Sequence, residues 1–499
     1  MHRRLFFLFV ISAGLLLLPT ATLSATTWIG LDLGDWNTPG NWDAGVPTAG
    51  VEAWINNGTT AVLDTSGPAG AASNVYVGHG GTGNSGLNIS NDLTASGYMA
   101  VGLSNDVPGS VAGTVNQSAG TVNVATMYIG NTYSFDVATA GVYNMTGGSL
   151  NVTTGPFRVG WYGGGTFDQS GGVVTSSSDL DIGTGGSSAT VTVRGTASMT
   201  VPDILMCGPS STLNVQGGTL NVPGAIWLAY YSVSTNSVIN QSGGTVTTAG
   251  FASTGGTDIY NLSGGEMNLT YGPYVNPITT FVMTDGGGGG GRINIVSGSS
   301  LQADNTYDLQ AGTVNGILAG DVGLTKTTPG TVTLIGENTY TGLTSVEEGT
   351  LKVSGSIVGE VVAAAGSTLE PGASIGTMST GKLTLAGTLL TEYGGDGATP
   401  ETDVLTVNGD LDLSAGTFDF APYGSLELTE DSYIFLNYTG DRTGEAAVVT
   451  AHLPAGYHVE YDVGGGQNVA LVVPEPSTLV LLVLGLLGVA AYMRRRREA

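Results

Sequence analysis

Along most of this chain, apolar and polar residues alternate in short runs broken by glycine. Thr121-Val122-Asn123-Val124, Ser149-Leu150-Asn151-Val152 and Thr219-Leu220-Asn221-Val222 each send every second residue to one face, the period of a strand buried on one side. Such runs follow an element that recurs as Asn116-Gln117-Ser118-Ala119-Gly120, Asn144-Met145-Thr146-Gly147-Gly148, Asp168-Gln169-Ser170-Gly171-Gly172, Asn214-Val215-Gln216-Gly217-Gly218, Asn240-Gln241-Ser242-Gly243-Gly244 and Asn261-Leu262-Ser263-Gly264-Gly265. Spacings of 28, 24, 46, 26 and 21 residues give a period of 21 to 28 once a degenerate copy, Thr192-Val193-Arg194-Gly195, is placed in the long gap. Half a period later an apolar segment ends in glycine, as in Tyr76-Val77-Gly78, Ala100-Val101-Gly102, Tyr128-Ile129-Gly130, Arg158-Val159-Gly160 and Asp181-Ile182-Gly183. Two or three strands per repeat, separated by glycine turns, describe one coil of a parallel β-helix, so the chain is expected to be all-β.

One coil cannot bury its inward Val, Leu and Ile, but coils stacked about 4.8 Å apart pair their backbone groups and share one apolar column. The repeats predict about 14 to 18 coils and a rod of roughly 70 to 90 Å at that rise. Glycine supplies corners with positive φ. Asn at one place in successive repeats reads as a ladder or an Asx turn. The same triplets at Asn116, Asn144, Asn240 and Asn261 match glycosylation acceptors, yet a repeat that uses Asn-x-Ser for geometry generates them automatically. The polyglycine run Gly286 to Gly291 reads as a wide corner or joint, because no Lys-Ser/Thr follows it as in a phosphate loop.

Composition narrows the function. Glycine fills 82 of 499 positions and charged residues make up 10%, against roughly 7% and 25% in ordinary globular chains. Between residues 26 and 473, seven Lys and Arg face thirty-seven Asp and Glu. That excess repels phosphate backbones and anionic headgroups, so no nucleic-acid partner is expected. The single cysteine, Cys207, excludes an internal disulfide framework and reads as a small buried hydrophobe. Four of the six tryptophans, Trp28, Trp36, Trp42 and Trp54, crowd into residues 26–64 ahead of the coils. This segment is expected to cap the open end of the apolar column, and stacking of Trp28, Trp36, Trp42 and Trp54 on sugar rings is the alternative use.

The two ends read as addresses. Met1-His2-Arg3-Arg4, the apolar run Leu5 to Leu18, Pro19 and the small residues through Ala25 have the layout of a signal peptide, residues 1–25, cleaved near Ser24 or Ala25. At the other end Val473-Pro474-Glu475-Pro476-Ser477 precedes an apolar stretch from Thr478 to Met493, closed by Arg494, Arg495, Arg496 and Arg497. Sixteen apolar residues span roughly 24 Å as a helix, workable as a transmembrane anchor with the arginines stopping it on the cytoplasmic side. The prolines hold the preceding segment extended and open to a processing enzyme. Pro474, Glu475 and Pro476, the short helix and the arginines resemble the C-terminal sorting signal of PEP-CTERM proteins. For residues 473–499 the resemblance implies an exosortase-type processing partner, in Gram-negative bacteria that make extracellular polysaccharide. It also implies transient residence in the inner membrane and a mature chain at the cell envelope, at the surface or outside the cell.

A second resemblance lies in residues 320–472. Leu324-Thr325-Lys326-Thr327-Thr328-Pro329-Gly330-Thr331-Val332-Thr333-Leu334-Ile335-Gly336, continuing to Gly349-Thr350-Leu351-Lys352-Val353, resembles the autotransporter-associated β-strand repeat. Pro371-Gly372-Ala373-Ser374-Ile375-Gly376-Thr377 and Asp403-Val404-Leu405-Thr406-Val407-Asn408-Gly409 continue the likeness more weakly. The family's passengers are right-handed parallel β-helices, so the resemblance implies that architecture for this stretch as well as for the glycine-rich solenoid repeats of residues 65–319. No run of membrane strands follows, and only the stalk carries over.

Candidate chemistry is sparse. Asp179 and Asp181 share one strand face, with Arg158 about one coil earlier. A lyase or glycosidase needs clustered carboxylates beside a base, but no lysine precedes Lys326 and the nearest histidine is His79. The group is read as a solvated acidic edge and no catalytic residue is assigned. His452 and His458 are close enough in sequence to meet across a hairpin, without making a metal-ligand cluster. Calcium is the one ion considered, in the loop Gly394-Gly395-Asp396-Gly397 to Glu401 and Asp403, which lacks the nine-residue calcium repeat. No cofactor and no metal site is expected. The reading is an exported, non-catalytic structural or adhesive solenoid. The alternative is a β-helix that binds or cleaves extracellular polysaccharide, marked by a face of exposed aromatics or a carboxylate cluster.

Overall fold

The computed structural model describes residues 24–80, 83–104, 111–132, 139–230, 236–397 and 399–474, together with 487, 489 and 493–496. The signal peptide up to residue 23, Glu475, Pro476, Arg497 and most of the expected anchor helix lie outside them. Among the described residues no helix is long and apolar enough to cross a membrane. Ser24 and Ala25, at the expected cleavage site, begin the first strand, Ser24–Thr27, and pair with Val51 and Glu52.

The chain winds into a right-handed, all-β solenoid of about 15 turns. A representative turn holds Thr139–Met145, Ser149–Val152 and Phe157–Trp161, and the next holds Gly164–Gln169, Val173–Ser176 and Leu180–Thr184. Each strand pairs in parallel with its counterpart one turn on, for instance Val142 with Thr166, Leu150 with Val174 and Val159 with Ile182. Alternation then fixes the core. Val75 and Val77, Met99 and Val101, Met127 and Ile129, Phe157 and Val159, and Leu180 and Ile182 all point inward and are fully buried. Burial of one such side chain contributes about 1.5–3 kcal/mol, and no single turn holds enough of them to stand alone.

Glycine makes both recurrent corners. Gly78, Gly102, Gly130, Gly160 and Gly183 near the end of the third strand, and Gly120, Gly148, Gly172, Gly218, Gly244 and Gly265 where the first gives way to the second, all have φ between 67° and 81°. At Gly102 and Gly130 an added Cβ would fall on the carbonyl of Ala140 and Gly164 respectively, so these positions require close backbone approach as well as the left-handed conformation. In the polyglycine run, Asp285 accepts the N–H groups of Gly287 and Gly289 at 2.9 and 3.0 Å, and the next strand begins at Gly291. It is a wide corner.

The ends are closed differently. Trp28, Trp36 and Trp42 are buried over the first turns, with ring centroids 5.1 Å (Trp28 to Trp42) and 4.9 Å (Trp36 to Trp42) apart in edge contacts. The other end is an antiparallel closure in which Asn468–Val472 pairs with both Ser432–Tyr438 and His458–Tyr461, burying Phe435, Leu436, Val469 and Leu471. Alternation in sequence is the same for parallel and antiparallel strands, which is why this reversal was not expected. Parallel pairing runs without interruption across residues 319 and 320: Leu324 pairs backward with Tyr307 and forward with Thr344.

Candidate functional site: an aromatic face on the rod

The third strand of each turn positions the candidate site. Its outward side chain stacks from turn to turn because in-register parallel strands set like positions one above another at the coil rise. Trp54 lies beside Tyr76, Tyr76 beside Ala100, Ala100 beside Tyr128, Tyr128 beside Arg158, and Arg158 beside Asp181. Where the column holds the small Ala100, Tyr98 of the same strand covers it and joins Tyr76 to Tyr128. Ring centroids are separated by 4.8 Å (Trp54 to Tyr76), 5.3 Å (Tyr76 to Tyr98), 6.1 Å (Tyr98 to Tyr128) and 5.7 Å (Tyr128 to Trp161). Tyr76 is buried beneath its neighbours, whereas Trp54, Tyr98, Tyr128 and Trp161 are half-buried.

Polar groups hold both ends of this ladder. Glu52 accepts the Trp54 indole N–H at 3.0 Å and an Asn74 amide N–H at 2.9 Å, and Asn74 Oδ1 accepts the Tyr98 backbone N–H at 2.9 Å. The Tyr76 and Tyr98 hydroxyls are hydrogen-bonded to each other, and burial, with Tyr98 and Glu52 nearby, raises the Tyr76 phenol far above its ordinary range. His79 packs edge-on to Trp54 at 4.5 Å, and burial pushes its imidazole below the ordinary value, so it is neutral at pH 7. At the far end the Arg158 guanidinium lies over the Trp161 ring at 4.7 Å and donates to Asp181 at 2.8 Å. Burial raises Asp181 while Arg158 opposes the rise; burial, with Asp203 and Asp181, also raises Asp179.

The other two outer faces are amide ladders. Asn116 donates to Asn88 at 2.9 Å, Asn144 to Asn116 at 2.9 Å, Asn240 to Asn214 at 2.9 Å and Asn261 to Asn240 at 2.9 Å on one face; Asn151 donates to Asn123 at 2.8 Å on the next. Recurrent Asn is therefore a strand ladder and not an Asx turn.

Of the four tryptophans considered for sugar stacking, three are corrected by their position. Trp28, Trp36 and Trp42 are in the core, with Trp42 Nε1 donating to the Trp36 carbonyl at 2.7 Å and Trp28 Nε1 to Thr59 Oγ1 at 3.1 Å. Trp54 alone faces outward, and its companions Tyr98, Tyr128 and Trp161 were not singled out. Tyr128 holds the outward position of its glycine-ended segment, but Tyr98 lies two residues before that position and Trp161 follows the glycine, so no common place in the repeat marks the three. Arg158 and Asp181 do meet, but as an ion pair. Cys207 is buried, and burial with Asp181 pushes its thiol up to about 12. Each of the two histidines has its own carboxylate neighbour: His452 bonds Asp419 at 2.7 Å and His458 lies 3.8 Å from Glu460. In the loop considered for calcium, Asp403 is turned inward, its two oxygens accepting the N–H groups of Gly376 at 2.8 Å and Glu392 at 2.7 Å. Among the described residues no group of three or more His, Cys, Asp or Glu is arranged to hold a metal ion. Pro474 is exposed just beyond the last strand, and Arg494, Arg495 and Arg496 are exposed.

Continuous parallel turns, glycine corners and caps at both ends define the class: a β-solenoid rod, here with one aromatic face. The passenger-associated-transport-repeat family matches residues 324–353, and the PEP-CTERM protein-sorting motif matches residues 472–497. The chain thus carries a PEP-CTERM sorting motif, a kind of signal processed by an exosortase, at the end of a β-solenoid that contains a passenger-type repeat, and that motif implies export to the cell envelope or surface. No curated protein and no solved structure matches it.

Proposed function

We propose that this protein is a non-catalytic structural and adhesive rod, sorted by Pro474, Glu475 and Pro476 and carried at the cell surface. The observation behind this reading is the position of the sorting motif, which begins where the closing strand Asn468–Val472 ends, at the capped end of an otherwise continuous rod. Such a rod projects whatever lies on its sides away from its point of attachment. Arg158, the one cation near Asp179 and Asp181 considered for catalysis, is engaged by Asp181 and by the Trp161 ring, which supports a structural use of that cluster.

Intact-mass analysis of fractionated host cells tests the sorting part. The wild type is expected at the surface or in the medium as a chain ending near Val473. The Pro474→Ala, Glu475→Ala, Pro476→Ala variant is expected unprocessed in the inner membrane. Identical masses and fractions for the two proteins would overturn the reading.

A further inference from the structure

The closing end of the rod holds a cleft of about 370 Å³, between the last parallel turns and the antiparallel closure. That is the volume of a small-molecule site. Tyr393 and Tyr457 form its aromatic walls, and Pro422, Leu426 and Leu428 line it with apolar surface. Tyr393 stands in register with Pro422 on the neighbouring strand, and Tyr393, Leu428 and Tyr457 pack against the core. The rim between them is pinned from three sides. The Gly395 carbonyl accepts the N–H groups of Ser425 and Leu426 at 3.2 and 3.1 Å, the Tyr433 hydroxyl accepts those of Thr429 and Glu430 at 3.0 Å, and the Tyr457 hydroxyl donates to the Glu430 carbonyl at 2.6 Å. A cleft fixed in this way needs little ordering when a ligand enters.

Two polar groups in the cleft are unengaged. Glu427 lines it with a carboxylate that has no ion pair and no hydrogen bond among the described residues, and the Tyr393 hydroxyl has no hydrogen bond among them either. The two are neighbours: burial raises the Tyr393 phenol above its ordinary range, and the charge of Glu427 adds to the rise. Charge selects the occupant. From Glu392 to Asp462 the chain carries fourteen Asp and Glu against one arginine. That arginine, Arg442, is engaged elsewhere, by Asp462 and over the Tyr461 ring. An anion is therefore repelled, and an uncharged ligand leaves Glu427 without a counter-charge. An ammonium on an alkyl chain meets each demand, with N–H donors for the carboxylate, positive charge for the tyrosine rings and methylenes for the leucines and the proline. We propose that this cleft binds a primary alkylammonium group, with Glu427 as its counter-ion and Tyr393 and Tyr457 as its walls. A free diamine and a lysine side chain of another protein both present that group, and the test separates them. The inference goes beyond the proposed rod function and is independent of how the chain is sorted.

The test is a ligand-observed NMR titration of the purified full chain, at constant ionic strength, with cadaverine, its uncharged isostere 1,5-pentanediol, and Nα-acetyl-lysine N-methylamide. At least one of the two amines is expected to bind at least about tenfold more tightly than the diol. Tighter binding of cadaverine identifies a free amine as the source, and tighter binding of the lysine amide identifies a protein side chain. Glu427→Gln, at an exposed position where folding should be unaffected, is expected to weaken the binding at least about fivefold. Tyr393→Leu should weaken it at least about threefold, and Asp304→Asn, an exposed carboxylate on a distant turn, should leave it unchanged. Circular dichroism checks each fold, and if Tyr393→Leu unfolds, Glu427→Gln decides alone. Equal affinity for the amines and the diol, no binding of either amine at about 10 mM, an equal loss in Asp304→Asn, or undiminished binding by a folded Glu427→Gln would overturn the proposal.

Discussion

The coils from Val75 to Leu269 and those from Leu324 to Phe420 share one plan but are held together differently. In the first stretch the corners are backbone against backbone, with no room for a Cβ at Gly102, Gly130 or Gly141, and amide ladders line the outside. The first stretch buries Asp258, and in the second a lysine enters the interior as well. Lys326 is fully buried and its ammonium donates to the carbonyls of Thr328 at 2.6 Å, Glu348 at 3.0 Å and Gln310 at 3.4 Å. Lys352 pairs with the buried Glu370, and Asp403 is fully buried. Burial lowers Lys326, and burial with Glu392 and Glu370 nearby pushes Asp403 up to about 7, against the backbone donors that favour its charged form. Glycine lets the next backbone come close in both stretches, as at Gly336, Gly349 and Gly355 in the second. Only the second adds a lysine that bridges three carbonyls at once.

Breaking a glycine corner should have the largest effect. Gly130→Ala combines a left-handed φ of 67° with a clash against the Gly164 carbonyl, and is expected to cost about 4 kcal/mol. Gly288→Ala, with nothing within 4 Å of its added carbon, should change the denaturation midpoint little. Equal midpoints for the two variants would refute the account of the corner.

Lys326→Met comes next, at about 3 kcal/mol, because the carbonyls of Thr328 and Glu348 lose the ammonium donor while that of Gln310 keeps only Thr328 Oγ1. Hydrogen exchange should show the loss concentrated in residues 310–350, as nearest-neighbour coupling in solenoids predicts. A loss spread evenly to Val75 would mean that the two stretches unfold as one.

Asp403→Asn tests the pH dependence of the second stretch. A carboxyl raised in the folded state holds its proton more tightly there, so its stabilisation is complete below about pH 4 and is lost as pH rises through about 7. The stability of the wild type relative to Asp403→Asn should therefore fall between pH 4 and 8, by on the order of 2 kcal/mol. A flat difference in urea titrations across that range would show that Asp403 stays charged throughout.

The smallest effect belongs to the ladders. Asn144→Ala removes an outer amide bond to Asn116 and should cost about 0.5 kcal/mol. A loss above 2 kcal/mol would place the ladders among the main supports of the first stretch.

Much of this architecture was legible because it is local and repeated. The runs after Gly120, Gly148 and Gly218 are strands, the glycines that end each element have positive φ, and Trp28, Trp36 and Trp42 are buried over the first turns, whereas Val51–Ile55 and Thr60–Leu63 of the same segment are coil strands. The candidate site was less so. Tyr128, Arg158 and Asp181 share one place in the glycine-ended segments, but Tyr98 and Trp161 fall outside that place, and nothing in their own segments marks them as neighbours of Tyr128. Trp54 was grouped with three tryptophans near it in sequence, although it faces the opposite side of the backbone from the core they fill.

The amino-acid sequence by itself determined the strands, the corners, the inward columns and the sorting motif, since each depends on residue type at short range and on repetition. Tertiary structure alone decided which outward side chains stand beside one another, that the last strands reverse into an antiparallel closure, and that Lys326 and Asp403 turn inward. Those outcomes depend on the register between turns. Register is set by the summed lengths of the loops between strands and by the packing of whole turns, quantities that no single segment contains.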